Sequence, residues 1–135
     1  VKLELTVMGD PKPQGSKRGF VTKTGKVALV EMAGNPLKLW RESIALIAQA
    51  EAKKQNWEVT DQPVSMEIIF YMKKPQKPKF SLPAVRPDID KLLRALLDGL
   101  TQAKTVYLDD SQVCILQASK MYGEPRVEIK LWTTL

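Results

Sequence analysis

The chain has 135 residues, with 21 Lys plus Arg against 15 Asp plus Glu, no His and one Cys, for a net charge of +6. At roughly 100–200 residues per domain, 1–135 reads as a single domain. Its 44% apolar residues supply a core without a disulfide or metal staple, since a chain of this size buries about two-thirds of its unfolded surface. Without His there is no Ser-His-Asp or Cys-His nucleophile and no His-ligated metal. Cys114 alone excludes a CxxC zinc site, so any chemistry rests on carboxylates, Lys and Arg, and a reducing, cytoplasmic setting is expected.

Lys2–Met8 alternates Leu3, Leu5 and Val7 with polar residues, which predicts a strand rather than a signal peptide. Gly9–Gly25 is turn-rich, and Thr24-Gly25 closes a predicted hairpin between Phe20–Thr22 and Val27–Leu29. Asn35-Pro36 offers a helix cap followed by Pro at the first helical position. Leu37, Trp40, Ile44, Ile47 and Ala48 then share one face, predicting a helix to about Lys54. Val64–Tyr71 alternates again and predicts a second long strand, while Lys73–Pro87 holds four Pro and predicts an extended loop.

Asp90 to about Ala103 predicts a helix whose stripe of Leu92, Leu93, Leu96, Leu97 and Leu100 reads as core rather than interface. Arg94 and Asp98 interrupt this stretch, so it does not span a membrane. Val113–Met121 and Arg126–Trp132 are predicted strands joined by a Tyr122-Gly123-Glu124-Pro125 turn, with antiparallel pairing between them. Trp40, Trp57 and Trp132 read as core. The sum is an α+β domain: a mixed or antiparallel sheet of about four strands packed with two main helices.

Charge is unevenly distributed. Pro11–Val30 holds five basic residues and no acid, and Lys73–Arg86 holds five more and no acid. Asp88–Asp110 reverses the balance, with five Asp against Lys91, Arg94 and Lys104. Two acid-free basic stretches favour a polyanion partner over mere solubility, and nucleic acid fits best because phosphate contacts dominate its affinity. Neither stretch has the apolar face that a membrane surface requires. Lys12, Lys17, Arg18, Lys73, Lys74, Lys77 and Lys79 are the candidate phosphate contacts.

Asp88-Ile89-Asp90 leads into the Leu-rich helix. If extended, it points both carboxylates to one side, where a divalent cation relieves their repulsion; Mg²⁺ takes one or two carboxylates with waters and phosphate oxygens. The bland alternative is a helix cap. Asp109-Asp110 lies beyond the helix, and a chain reversal returning either of them to the start of the helix makes a three-carboxylate site suited to phosphodiester hydrolysis; here the bland alternative is an Asx turn. Asp90, Arg94 and Asp98 share a helix face, and the spacing favours an ion-pair ladder over a phosphate-facing role for Arg94.

The run Asp88-Ile89-Asp90-Lys91-Leu92-Leu93-Arg94-Ala95-Leu96-Leu97-Asp98-Gly99-Leu100, followed by Tyr107-Leu108-Asp109-Asp110-Ser111-Gln112-Val113, resembles the RusA family of Holliday junction resolvases. That family has a D-L-D-N segment opening a helix that contains D-A-L, then a W/L-D-D-x-Q-V segment. Gly9–Arg18 is similar to the basic, Pro-containing segment of phage and prophage members. The resemblance implies a homodimeric, Mg²⁺-dependent endonuclease of DNA recombination and repair that nicks two opposing strands of a four-way junction symmetrically, with no small-molecule cofactor and a bacterial cytoplasmic, phage or prophage setting. By position it implies Asp88, Asp90 and Asp110 as metal-binding catalytic residues, with Asp109 the alternative ligand. The chain departs from the pattern twice: Arg94 stands where the family has its catalytic lysine, and Lys91 replaces the usual Asn. Either Arg94 keeps the phosphate-facing role, or Lys91 takes it, or turnover is reduced, and an Arg there acts electrostatically, not as a proton donor. A two-fold dimer supplies the two cuts that one carboxylate cluster cannot. The rival readings are a non-catalytic nucleic-acid-binding protein and a metal nuclease acting on forks or flaps.

Overall fold

In a computed structural model, residues 1–15, 18–21, 27–30 and 34–133 are described, the side chains of 18–21, 27–30 and 34–35 excepted. The strands are β1 (Lys2–Met8), β2 (Arg18–Val21), β3 (Val27–Val30), β4 (Val64–Met72), β5 (Val113–Tyr122) and β6 (Arg126–Thr133). The helices are α1 (Gly34–Lys54) and α2 (Ile89–Ala103), with a short 3₁₀ turn at Asp110–Gln112. A four-stranded sheet has the order β1-β6-β4-β5, and β2 and β3 form a separate antiparallel pair. The turn predicted at Thr24-Gly25 lies outside the described residues.

Alternation decides which face of the sheet is dry. Leu3, Leu5 and Val7 of β1 sit opposite Leu131, Ile129 and Val127 of β6, which in turn face Met66, Ile68 and Phe70 of β4. All nine are buried. They meet Leu37, Trp40, Ile44 and Ala48 of α1 and Leu92, Leu96 and Leu100 of α2, so both helices cover one face of the sheet. Each such apolar side chain contributes about 1.5–3 kcal/mol on burial. Leu93 and Leu97 flank this core half-buried. Trp40 and Trp57 belong to the core, but Trp132 is only half-buried, with the Lys2 ammonium 5.5 Å from its ring centre. Gly99 is where the helices touch: a Cβ there would lie 2.9 Å from Ile44 Cβ.

The expected C-terminal hairpin does not form. β5 and β6 run in opposite directions, but β4 lies between them, parallel to β5 and antiparallel to β6. Residues 123–125 therefore cross the end of β4, where Gly123 N–H donates to Met72 O (2.9 Å) and Gly9 N–H donates to Pro125 O (3.1 Å). Packing, not the turn sequence, decides: β4 buries alternate large apolar residues, whereas β5 is half-buried at best along its whole length and takes the edge. A parallel pair requires a crossover, and the 73–88 loop with α2 provides it.

Gly99→Val should lower stability by about 1–3 kcal/mol through overpacking against α1, measured by urea denaturation.

Candidate active site and nucleic-acid interface

Asp88 is the N-cap of α2, with φ −70° and ψ 143°, and the helix begins at Ile89. Asp90 thus lies in the first helical turn rather than on an extended strand, and its charge is favoured by the positive end of the helix dipole. Asp88 occupies the capping position, but its carboxylate accepts no capping hydrogen bond. It lies 3.6 Å from Lys91 Nζ, with both groups about half exposed. Arg94 is exposed and forms no ion pair among the described residues, so the Asp90-Arg94-Asp98 ladder is absent. Asp98 instead accepts a 2.6 Å hydrogen bond from Gln14 Nε2.

Asp109 and Asp110 are not equivalent. Asp109 caps the 3₁₀ turn: Ser111 N–H donates to its Oδ2 (3.0 Å), and Gln112 Oε1 accepts from Asp109 N–H (2.9 Å) in return. The Ser111 hydrogen bonds hold the Asp109 carboxyl below its ordinary pKa. Gln112 Nε2 also donates to Thr60 O and Gln62 O, which anchors the turn beside the start of β4. Tyr107 is buried between this turn and α2; its hydroxyl donates to Leu97 O (3.0 Å), and burial pushes its pKa up. The Asp110 side chain makes no hydrogen bond or ion pair among the described residues.

The expected return of Asp109-Asp110 to the start of α2 does not occur within the chain. Among the described residues no three acidic or Cys side chains gather as a metal site. Asp109-Asp110 precede the first residue of β5, whereas Asp88 lies at the other end of that strand. Lys120 Nζ donates to Val85 O (2.6 Å) and Pro87 O (2.7 Å), tying the segment before Asp88 to the far end of β5. Val113 and Lys120 are about 23 Å apart along an extended strand.

A cleft of about 630 Å³ opens beside Asp88, lined also by Asp10, Lys12, Met72, Arg86 and Lys91. Lys12 pairs with Asp10 at 3.3 Å. Lys73, Lys77 and Lys79 line a neighbouring hollow, and Lys74 is exposed outside it. Lys17 and the Arg18 side chain lie outside the described residues. Sequence reasoning missed two organisers of this region. Lys120, paired with Phe70 on the helix-facing side of β5, is a lysine in a position otherwise held by Leu116 and Ala118, which is a legible signal. Gln14 has none: its N–H donates to Lys91 O (2.9 Å), its Nε2 to Asp98, and its Oε1 accepts from Arg41 Nη1 (2.7 Å). It thereby docks the Gly9–Gln14 segment onto both helices next to Asp88.

A two-layer α+β domain with the exposed Asp88 carboxylate in a cleft lined by Lys12, Arg86 and Lys91, and the exposed Asp90 in the adjoining first turn of α2, suits phosphodiester chemistry. The family model for endodeoxyribonuclease RusA matches residues 10–132. The uncharacterized protein YqaN of Bacillus subtilis is 32% identical over 96% of this chain and 94% of its own length. The crossover junction endodeoxyribonuclease rusA of Lactococcus phage r1t is 35% identical over 51% of this chain and 53% of its own. The chain belongs to the RusA endodeoxyribonuclease family, and nuclease activity follows from that membership. No helix among the described residues is long and apolar enough to cross a membrane.

Two outcomes test the geometry. Asp109→Ala should destabilise the fold at neutral pH and narrow its advantage in acid. The folded-state pKa is depressed, so the stabilisation is present above the unfolded value near 4 and vanishes as pH falls through the lower folded value; thermal melts from pH 7 to 2 read this. Lys120→Met should leave the fold intact but speed proteolytic nicking within residues 73–87.

Proposed function

We propose that the protein is a Mg²⁺-dependent, homodimeric endonuclease that resolves four-way DNA junctions by paired symmetric nicks in recombination and repair. The observation that carries this reading is Asp88. It holds a capping position without capping, beside Asp90 and in a cleft with Lys12, Arg86 and Lys91. The name of the phage relative supports the junction as substrate. The same relative, with the exposed free thiol of Cys114, supports a phage or prophage gene acting in a reducing bacterial cytoplasm.

The donor set fits Mg²⁺: exposed carboxylate oxygens, no soft ligand, and room for waters and phosphate oxygens. Asp88 and Asp90 would hold it, and Asp110 would be the third ligand, since Asp109 caps the 3₁₀ turn. When bound, the ion supplies Lewis acidity and a more acidic water. Lys91 and Arg94 flank the same helical turn. Arg94, without a carboxylate partner among the described residues, would face the scissile phosphate as a fixed positive charge, and the lysines of the 73–79 segment would orient the strand.

A second copy completes the site. Among the described residues, β5 is an edge strand with one side unpaired and with Ile115, Leu116 and Met121 exposed. Antiparallel pairing of β5 with its copy across a two-fold axis brings the Asp110 end of one chain to the Asp88 end of the other. It yields two equivalent sites, as two symmetric nicks demand.

The test is cleavage of a labelled four-way junction with Mg²⁺, alongside duplex and fork controls. Asp90→Asn should retain junction binding and lose nicking by about 100-fold or more. Asp88→Asn and Asp110→Asn should each be inactive alone but recover single nicks when mixed, because each mixed dimer holds one site with all ligands intact. Binding without Mg²⁺-dependent nicking in the unaltered protein would return the reading to a non-catalytic junction binder, and nicking of forks in preference to junctions to a fork nuclease.

A further inference from the structure

Next to the Asp88 cleft lies a second hollow of about 440 Å³ under the proline-rich loop, sharing Asp10, Met72 and Arg86 with it as a common wall. We infer that this hollow receives one unstacked nucleotide of the branched DNA, with the base against Phe80, Leu82 and Val85 and the phosphate on Lys73, Lys77 or Lys79. The inference rests on the reading of the substrate as branched DNA, and concerns how the protein distinguishes a branch from a duplex.

Three observations converge. Phe80, Leu82 and Val85 are 54%, 52% and 60% exposed within six consecutive residues. Single exposed apolar residues are ordinary, but a cluster rimmed by charge marks a binding surface. Phosphate binding alone needs no such floor. Lys79 Nζ already lies 5.5 Å from the Phe80 ring centre, so an aromatic face and a cation share one place. The volume suits a small ligand, and the walls combine apolar side chains with a few convergent polar groups.

Charge specifies the occupant. Among the described residues, five cations line the hollow and Asp10 is its one acid, itself paired with Lys12. An apolar cup ringed by ammonium and guanidinium groups matches a base with its phosphate, in the manner of single-strand platforms that join stacking to a basic groove. Continuous duplex keeps each base stacked on both sides and offers the cup nothing, whereas a base beside the crossover of an opened four-way junction has lost one stacking neighbour, which lowers the cost of drawing it out. The shared Arg86 wall places that nucleotide next to the backbone presented to Asp88.

The experiment measures binding of the full-length protein, without divalent metal, to four-way junctions and to duplexes of the same sequence. Phe80→Ala should weaken junction binding about 5- to 100-fold and leave duplex binding unchanged. Removing one base at the crossover, as an abasic site, should weaken the unaltered protein similarly. The two changes together should cost no more than either alone. Thermal melts check folding, and Leu82→Ser repeats the measurement with a second exposed side chain. Equal losses on junction and duplex, additive losses, or no loss with either variant would overturn the inference, the last pointing to a protein segment as occupant. If the unaltered protein shows no preference for junction over duplex, the resolvase reading fails and takes this one with it. Preference that is indifferent to Phe80 and Leu82 overturns the pocket alone.

Discussion

Two parallel strands cannot be joined by a turn. The chain leaving β4 has to travel back the length of the sheet before β5 begins, and the 73–88 loop with α2 makes that journey. Most of the functional layout follows. The loop and the start of α2 sit where β4 ends, the position at which crossover connections open clefts. The turn holding Asp109 and Asp110 sits at the opposite end of β5. A helix of 15 residues, about 22 Å long, therefore separates two carboxylate pairs only 19 residues apart in sequence by the inner members Asp90 and Asp109.

Around the cleft, the two lining carboxylates meet cations only at the exposed surface, Asp10 with Lys12 and Asp88 with Lys91. Lys120 spends its ammonium on two backbone carbonyls, and Asp98 is answered by the neutral amide of Gln14, which reaches Arg41 with its other end. The contact between Asp88 and Lys91 is long and exposed, and such pairs contribute little. Among the described residues, the carboxylates at the start of α2 thus have only weak, solvent-screened partners. That arrangement costs the isolated fold little, because solvent screens it.

Much of this was legible beforehand, and the failures have physical causes. β1 and β4 follow directly from alternation, and both helices from their apolar stripes, because period and burial agree there. The Tyr122–Pro125 turn looks like a hairpin, but local turn chemistry says nothing about whether a third strand intervenes. The Asp90-Arg94-Asp98 spacing allows a ladder that Gln14, 84 residues away from Asp98 in sequence, pre-empts. Distinguishing Asp109 from Asp110 needs the backbone of the 3₁₀ turn, since only its geometry shows which carboxylate receives the Ser111 N–H. The separation of the carboxylates along β5 depends on strand order, which residue patterns do not encode.

The bare edge of β5 also bears on how the protein is made. Such edges are ordinarily blunted by proline, bulges or clustered charge. Along its ten residues β5 has no proline and a single charged side chain, Lys120. It is also made after its sheet neighbour β4 and after the loop and helix that join the two. A folded chain whose β5 edge is uncovered is therefore a template for indiscriminate strand addition.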